Sequence, residues 1–188
     1  MRFKQYINEE VLGKNFYKKV CEECLPFLQD TKGIAYYRGG MGPGHSGYTI
    51  YSPKKNRLPT DTPLSLHELA NKYFMKMFGW SGRNGVMATP VESVAACYSS
   101  NGALTPIFIP RGEIRYIWSP HIKDMTFDIQ DIDNSKEAYD DFFKSYTNEN
   151  LDLNKKNEVM FLCKDYYIFE KSLGLHVLRY FNNEYKRY

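Results

Sequence analysis

Long apolar runs are missing from this sequence, and its first residues mix Phe3, Tyr6 and Ile7 with charged side chains. A membrane-spanning helix needs about 20 consecutive apolar residues, and a secretory signal needs an uninterrupted apolar stretch of about 7 to 15. Neither pattern is present. We therefore expect a soluble protein without membrane contact that is intracellular, at least where it is made.

Cysteine is scarce, with 4 residues at positions 21, 24, 97 and 163. Cys21 and Cys24 have the spacing of half a zinc or redox motif, but they lie in a helical pattern and no second pair with ligand spacing follows. The acidic stretch 124–141 lacks the glycine and the closing glutamate of a calcium loop, so we expect it to be a solvated face. The sequence predicts reduced thiols and no metal site.

Strong charge of one sign is also absent, since the net charge is +3 at pH 7. In residues 1–94, 13 basic residues outnumber 8 acidic ones. This bias suits an anionic ligand but is too weak to indicate a nucleic-acid-binding protein. The chain is rich in aromatics, with 16 Tyr and 12 Phe, which predicts a packed core and excludes a disordered chain.

Hydrophobic periodicity divides the chain into helices and strands without internal repeats. We predict helices at residues 2–11, 15–25, 61–79, 91–98 and about 138–146. We predict strands at 34–38, 86–88, 104–109, 113–118, 158–163, 166–169 and 173–180. The runs 104–109 and 113–118 have the spacing of a hairpin, Pro26 is expected to end the second helix, and the Gly- and Pro-rich segment 39–63 is predicted to be a loop.

The segment 85–100 contains the first candidate site residue, Thr89, between a short strand and a short helix. Pro90 suits the first turn of that helix, where its missing N–H costs nothing. The Thr89 hydroxyl can therefore cap the helix or face a cleft. The residues alone leave both alternatives open.

Two further candidates stand at strand ends. Arg38 follows a strand and precedes Gly39 and Gly40, so its guanidinium could contact phosphate while the backbone lets a ligand approach closely. It could equally form an ordinary salt bridge near a turn. Glu158 opens an otherwise apolar strand, either as a solvated strand start or as a residue poised over a cleft.

Other polar residues have a simpler interpretation. His67 and Asn71 lie one turn apart on a predicted helix and could share a face toward a ligand, although a lone helical histidine is usually structural. Lys54, Lys55 and Arg57 are interpreted as a solvated basic loop. We do not include these residues in the predicted site.

The order of Arg38, Thr89 and Glu158 resembles the arginine, serine or threonine, glutamate pattern of the mono-ADP-ribosyltransferase superfamily. The best matching segments are 37–39, 86–89 and 157–161. The resemblance implies an α+β fold with two small split β-sheets around an NAD cleft. The domain would span 1–188, with a helical segment at 1–30 and the transferase-like core at 31–188.

The resemblance also implies roles for individual residues. Arg38 would hold the NAD phosphates and the nicotinamide ribose, with Gly39 beside it, and Thr89 would brace Glu158 and line the nicotinamide pocket. Glu158 would accept a hydrogen bond from the ribose 2′-hydroxyl, and Tyr37 or Tyr98 would stack on the nicotinamide ring, as Tyr36 also could. NAD would then be the substrate, and ADP-ribose would pass to a protein or nucleic-acid acceptor of the host.

Two departures from the family pattern leave other functions open. Lys156 stands where transferases that modify arginine carry a glutamate or glutamine, and Thr89 is followed directly by Pro90. These changes fit a different acceptor, simple NAD hydrolysis, or a scaffold without the chemistry. A third possibility is a generic α+β binding domain in which the three candidate residues never meet.

The segments 1–10, 58–62 and 78–80 also resemble small proteins of tailed bacteriophages. This implies the cytoplasm of a bacterial host, or packaging in a virion. The alternative function is therefore a non-enzymatic bacteriophage virion or interaction protein, with other virion proteins as its partners. The many tyrosines and the long Gly/Pro segment would suit such an interface.

Overall fold

Two antiparallel sheets lie at the centre of the computed structural model, which describes residues 12–40, 42–44, 46–59, 62–99 and 105–185. The first sheet has the strand order β1-β4-β7-β2, formed by β1 (Tyr36–Tyr37), β4 (Ile107–Arg111), β7 (Asp165–Phe169) and β2 (Tyr48–Tyr51). The second has the order β3-β6-β5, formed by β3 (Val86–Ala88), β6 (Val159–Leu162) and β5 (Arg115–Trp118). The helix predicted at 2–11 lies outside the described residues.

Helices surround both sheets. They are α1 (Lys14–Glu23), α2 (Leu25–Asp30), α3 (Leu64–Phe78), α4 (Glu92–Cys97), α5 (Met125–Asp128), α6 (Lys136–Lys144) and α7 (Lys171–Glu184). Short 3-10 turns span Gly82–Asn84 and Ile129–Asp131. The mixture of helices with two small antiparallel sheets confirms the predicted α+β class.

The hairpin predicted from 104–109 and 113–118 is wrong, because its two strands belong to different sheets. Strand β4 pairs with β1 on one side and β7 on the other, so it has no free edge for β5. Gly112 follows β4 with φ 67°, a left-handed conformation that suits glycine, and β5 pairs with β6 instead. The chain thus crosses from one sheet to the other at this glycine.

Three other predictions are also wrong. The predicted loop 39–63 contains β2, an edge strand that pairs with β7 from Tyr48↔Phe169 to Tyr51↔Tyr166. The strand predicted at 173–180 is helix α7, whose buried residues recur at helical spacing: Leu173, Gly174, Val177, Leu178 and Phe181. Pro26 does not end the helical segment but lies in the first turn of α2, where proline is tolerated.

Strand β6 is buried on both faces and separates two hydrophobic clusters. Val159 and Phe161 pack in the cluster formed with α1, α2, α7 and the first sheet. Met160 packs in the cluster formed with α3 and α6. Successive strand residues point to opposite faces. Glu158, two residues before Met160, therefore stands at the edge of this buried strand, next to the second cluster.

None of the described helices is long and apolar enough to cross a membrane. Within the described ranges, no group of three or more His, Cys, Asp or Glu residues is arranged to hold a metal ion. The four cysteines are free thiols, and Cys97 is exposed while the other three are buried. Burial raises the pKa of Cys21 and Cys163 to about 12, so these thiols stay protonated.

Candidate functional site

The two sheets are joined beside the candidate site by a short backbone bridge. The N–H of Tyr37, in β1, donates to the carbonyl of Thr89 at 2.8 Å, and the N–H of Thr89 donates back to Tyr37 at 3.0 Å. Thr89 directly follows β3, so the bridge connects the first sheet to the second. It also brings Arg38 close to the residues that follow β3.

All six residues predicted for the site line one cavity of about 250 Å³: Tyr37, Arg38, Gly39, Thr89, Tyr98 and Glu158. They come from segments that are far apart in the sequence. The arrangement in which Arg38, Thr89 and Glu158 never meet is thus not observed. Their chemical roles stay predictions. Tyr36, the alternative stacking residue, is 2% exposed in the core and lies outside the cavity lining.

Arg38 keeps one donor without a partner. Its backbone N–H donates to the Pro106 carbonyl at 3.2 Å, and its guanidinium carbon lies 5.4 Å from the centre of the Tyr166 ring. Nitrogen Nη1 is buried and has no hydrogen-bond partner in the described part of the chain. Buried donors in native proteins are nearly always paired, so this one is a candidate for a ligand contact.

Close packing against a helix requires glycine at position 39, and the predicted approach of a ligand to its backbone stays a prediction. A Cβ atom at this position would lie 2.5 Å from Cβ of Tyr98 and 2.6 Å from the Ala95 carbonyl oxygen. These residues belong to α4 and its C-terminal cap. Gly39 therefore allows the chain after β1 to pack directly against this helix, which fixes the cavity wall between Arg38 and Tyr98.

Thr89 does not cap a helix, and the prediction that Pro90 occupies the first helical turn is also wrong. Helix α4 begins at Glu92 with Val91 at the N-cap position. The Thr89 hydroxyl accepts a hydrogen bond from the Val91 N–H at 3.2 Å, which forms a local turn. Because Thr89 is bound into the sheet bridge, its side chain is fixed at the cavity wall.

Glu158 is the acid of the predicted set, and its environment disfavours its charge. Its side chain is 16% exposed, and its backbone N–H donates to the Lys123 carbonyl at 2.9 Å. Burial raises the pKa of Glu158 to about 6, with Asp124 adding to the rise and Arg83 opposing it. The carboxyl is therefore mostly ionised at pH 7 and mostly protonated at pH 5.

Arg83 is the main site residue that the sequence did not indicate. It lies in the 3-10 turn before β3, its side chain is 3% exposed, and it lines the cavity. Its Nη1 is 3.8 Å from Oε2 of Glu158, and its Nη2 donates to Oγ1 of Thr62 at 3.0 Å. In the sequence it was only part of a turn, with no local signal of burial.

Asp124 and Arg57 also line the cavity, contrary to their predicted solvated positions. Asp124 is 8% exposed and caps α5, accepting from the Thr126 N–H at 2.9 Å and from the Tyr98 hydroxyl. An aspartate just before a helix is a common N-cap, so this signal was present in the sequence. Arg57 Nη1 lies 3.2 Å from the sulfur of Met87, which holds the loop side chain against β3.

His67 and Asn71 do not face the cavity, so the alternative in which they bind a ligand is wrong. His67 is 5% exposed, and its Nε2 lies 3.2 Å from Asn84 Oδ1 and 3.0 Å from Asn71 Nδ2. Burial lowers the pKa of His67. Because Asn71 Oδ1 accepts from the Arg83 N–H at 2.9 Å, this network supports the turn that carries Arg83.

The cavity therefore combines three arginines, Arg38, Arg57 and Arg83, with two carboxylates, Asp124 and Glu158. Such a set can bind an anionic group on one side and present a carboxylate to a reacting centre on another. Comparison with protein-family models, curated proteins and solved structures finds no match for this chain. The function is therefore inferred from the residues of the cavity.

Proposed function

We propose that this chain binds NAD in the cavity, cleaves its nicotinamide glycosidic bond and transfers ADP-ribose to a host macromolecule. The observation that carries the proposal is the meeting of Arg38, Thr89 and Glu158 in one cavity, in the order typical of mono-ADP-ribosyltransferases. Both antiparallel sheets contribute residues to the cavity lining, Tyr37 from the first and Met87 and Ala88 from the second, which is also consistent with that fold.

Charge supports an anionic dinucleotide as the ligand. The lining has three arginines against two carboxylates, and Nη1 of Arg38 has no partner among the residues that the structure describes. An arginine fork can bind the diphosphate through paired hydrogen bonds. The volume of about 250 Å³ is near the lower end for small-molecule sites, roughly 300 to 1,000 Å³, so we assign the cavity to the nicotinamide–ribose half.

Glu158 has the position and charge that the chemistry needs. When the glycosidic bond breaks, nicotinamide leaves with the bonding electron pair, and positive charge develops on the ribose. An ionised Glu158 beside the sugar would stabilise that charge as it forms, and such an interaction raises the rate as well as the affinity. The aromatic rings of Tyr37 and Tyr98 line the same cavity and would hold the nicotinamide ring.

The test is nicotinamide release from NAD by the purified protein, with and without bacterial lysate as a source of acceptors. We expect Glu158→Gln to reduce release by roughly 100- to 1,000-fold, the typical loss when a charge-stabilising group is removed. Arg38→Ala should raise KM for NAD. The controls are Arg115→Gln and Glu113→Gln, which change exposed residues outside the cavity lining.

Absence of both NAD cleavage and NAD binding by the wild type, with lysate present, would overturn the proposal. The non-enzymatic virion or interaction protein would then be the function to test. The described part of segment 39–63 contributes Gly39, Gly40 and Arg57 to the cavity wall and leaves the volume of about 250 Å³ open. A cleft plugged by this segment, which would favour the virion function, is therefore not observed in the described residues.

A further inference from the structure

Arg83 is a permanently charged side chain in a buried position. Its side chain is 3% exposed, and arginine does not lose its proton at physiological pH. Its side-chain hydrogen bonds are incomplete for such a group: Nη2 donates to Oγ1 of Thr62 at 3.0 Å, but Nη1 reaches only the sulfur of Met87 at 3.4 Å, and Nε has no partner among the described residues. A buried charge of this kind requires an opposite charge close by.

Glu158 provides that charge. Among the described residues, it is the only acid in ion-pair contact with Arg83, at 3.8 Å between Nη1 and Oε2. If Glu158 were protonated, Arg83 would be left as an uncompensated buried cation. The pair therefore stabilises the ionised form of Glu158 and the buried arginine together.

Hydrogen bonds from both the backbone and the side chain hold Arg83 in place. The Arg83 N–H donates to Asn71 Oδ1 at 2.9 Å, and Nη2 donates to Thr62 Oγ1 at 3.0 Å. Thr62 Oγ1 lies 3.2 Å from Thr126 Oγ1, which joins α5 to the same network. Gly82 packs so tightly that a Cβ there would lie 2.8 Å from the Phe74 ring. The position of the charge is therefore fixed by the fold.

We propose that Arg83 is a positioning residue that holds the Glu158 carboxylate ionised at the cavity wall by acting as its fixed counter-charge. Other charged or titratable groups also act on Glu158. Asp124, at the start of α5, opposes ionisation, and Arg57, from the loop after β2, favours it to a smaller extent than Arg83. Tyr146, which follows α6, is also electrostatically coupled to Glu158 and remains protonated because burial raises its pKa.

The inference is tested without NAD by titrating the Glu158 carboxyl by NMR in protein labelled with 13C-glutamate. The Glu158 signal is assigned by its loss in Glu158→Gln. We expect a pKa of about 6 in the wild type. In Arg83→Gln the value should rise by about one to three pH units, the usual effect of losing an opposite charge at this distance. Arg83→Lys should restore part of the difference.

Arg57→Gln is the matched control, because it removes an arginine from the same cavity wall. We expect a smaller rise of the Glu158 pKa in Arg57→Gln than in Arg83→Gln. An unchanged Glu158 pKa in folded Arg83→Gln would overturn the inference. Equal rises in Arg83→Gln and Arg57→Gln would also overturn it, because they would assign the effect to the general positive charge of the cavity.

The Arg83→Gln variant could fail to fold because it leaves Glu158 without its partner. The double variant Arg83→Gln, Glu158→Gln removes both charges and should melt at a higher temperature than Arg83→Gln at pH 8. A double variant that melts no higher than Arg83→Gln would contradict the pairing.

The catalytic part of the inference depends on the proposed function, whereas the titration does not. If NAD is cleaved, the acid limb of kcat/KM should move to higher pH in the Arg83 variants, in parallel with the Glu158 pKa. If NAD is not cleaved but the pKa of Glu158 is higher in Arg83→Gln than in the wild type, the proposed function is wrong. The inference about the Arg83–Glu158 pair is then still supported. The two proposals can therefore fail separately.

Discussion

Two arginines in this chain, Arg111 and Arg83, are each paired with acids from distant parts of the sequence, but in very different ways. Arg111 donates from Nε to Glu23 at 3.1 Å, and its Nη1 lies 3.2 Å from Asp165. Its guanidinium carbon also lies 5.3 Å from the Tyr167 ring centre, and the Tyr167 hydroxyl donates to Glu23 at 2.6 Å. This network joins α1 to β4 and β7 with short, well-formed contacts.

Arg83 is much more buried and has poorer partners. Its side chain is 3% exposed against 26% for Arg111, yet within the described ranges its one ion pair is at 3.8 Å and its Nε is unpaired. Selection for stability alone would give the more buried arginine the closer ion pairs, because a buried charge needs the best compensation. Incompletely compensated charge beside a carboxylate of raised pKa is typical of functional sites. We therefore interpret the Arg111 network as structural and the Arg83 pair as functional.

The largest stability effect is expected at Arg111. Arg111→Gln should lower the free energy of unfolding by about 2 kcal/mol at pH 7, because it removes hydrogen bonds between charged groups and leaves Glu23 and Asp165 without their cation. Chemical denaturation measures this change. Arg115→Gln, at an exposed position on β5, should change stability by less than about 0.5 kcal/mol.

Nicotinamide release per folded molecule should be unchanged in Arg111→Gln, because Arg111 lies outside the cavity lining. A loss of stability no larger than that of Arg115→Gln would show that the Arg111 network does not hold α1 to the sheet. Arg111 would then no longer serve as the structural arginine in the comparison with Arg83.

A pH-dependent effect of about 2 kcal/mol is expected at Glu158. Its pKa is about 6 in the folded chain against the model-compound value of 4.5, so the folded state binds the proton more tightly. The resulting stabilisation is fully present below pH 4.5 and is lost as the pH rises through 6. The gap between the two pKa values corresponds to about 2 kcal/mol.

The measurement is the unfolding free energy of the wild type minus that of Glu158→Gln, followed from pH 4 to pH 7. We expect this difference to fall by about 2 kcal/mol across the range. The corresponding difference for Arg115→Gln should stay constant, because arginine does not titrate there. A constant difference for Glu158→Gln would mean that the fold does not disfavour the charge of Glu158. The distinction between the Arg83–Glu158 pair and the Arg111 network would then be weaker.

Features with a local sequence signal were predictable. The apolar run of β3, the strand after Glu158 and the helix that stops at Gly79 all follow from short patterns, and Gly79 has the left-handed φ of 76° expected of a helix end. The six predicted site residues stand at or beside the ends of such elements, and they line one cavity, while their roles stay predictions. The prediction that these residues share one cavity came from the order of the motifs along the chain as well as from the local patterns.

Features that depend on distant partners were missed. Strand β2 lies in a segment rich in glycine and proline, which gave no signal of a strand. It is a strand because it pairs with β7, more than 100 residues later. Strand β5 joins the second sheet because β1 and β7 already occupy both edges of β4. The buried Arg83 donates hydrogen bonds to Asn71 and Thr62, which precede it by 12 and 21 residues. None of these partners is visible in the neighbouring sequence.

The smallest effect is expected at Tyr98, whose hydroxyl donates to Asp124 inside the cavity. Asp124 also accepts from the Thr126 N–H, so it resembles the well-paired Arg111 network more than the Arg83 pair. Tyr98→Phe should therefore lower the unfolding free energy by only about 1 kcal/mol. KM for NAD should stay unchanged in Tyr98→Phe, which keeps the ring, and rise in Tyr98→Leu, which loses it. A KM that rises equally in both variants would assign the role of Tyr98 to its hydroxyl, and Asp124 would then belong with Glu158 among the functional acids of the cavity.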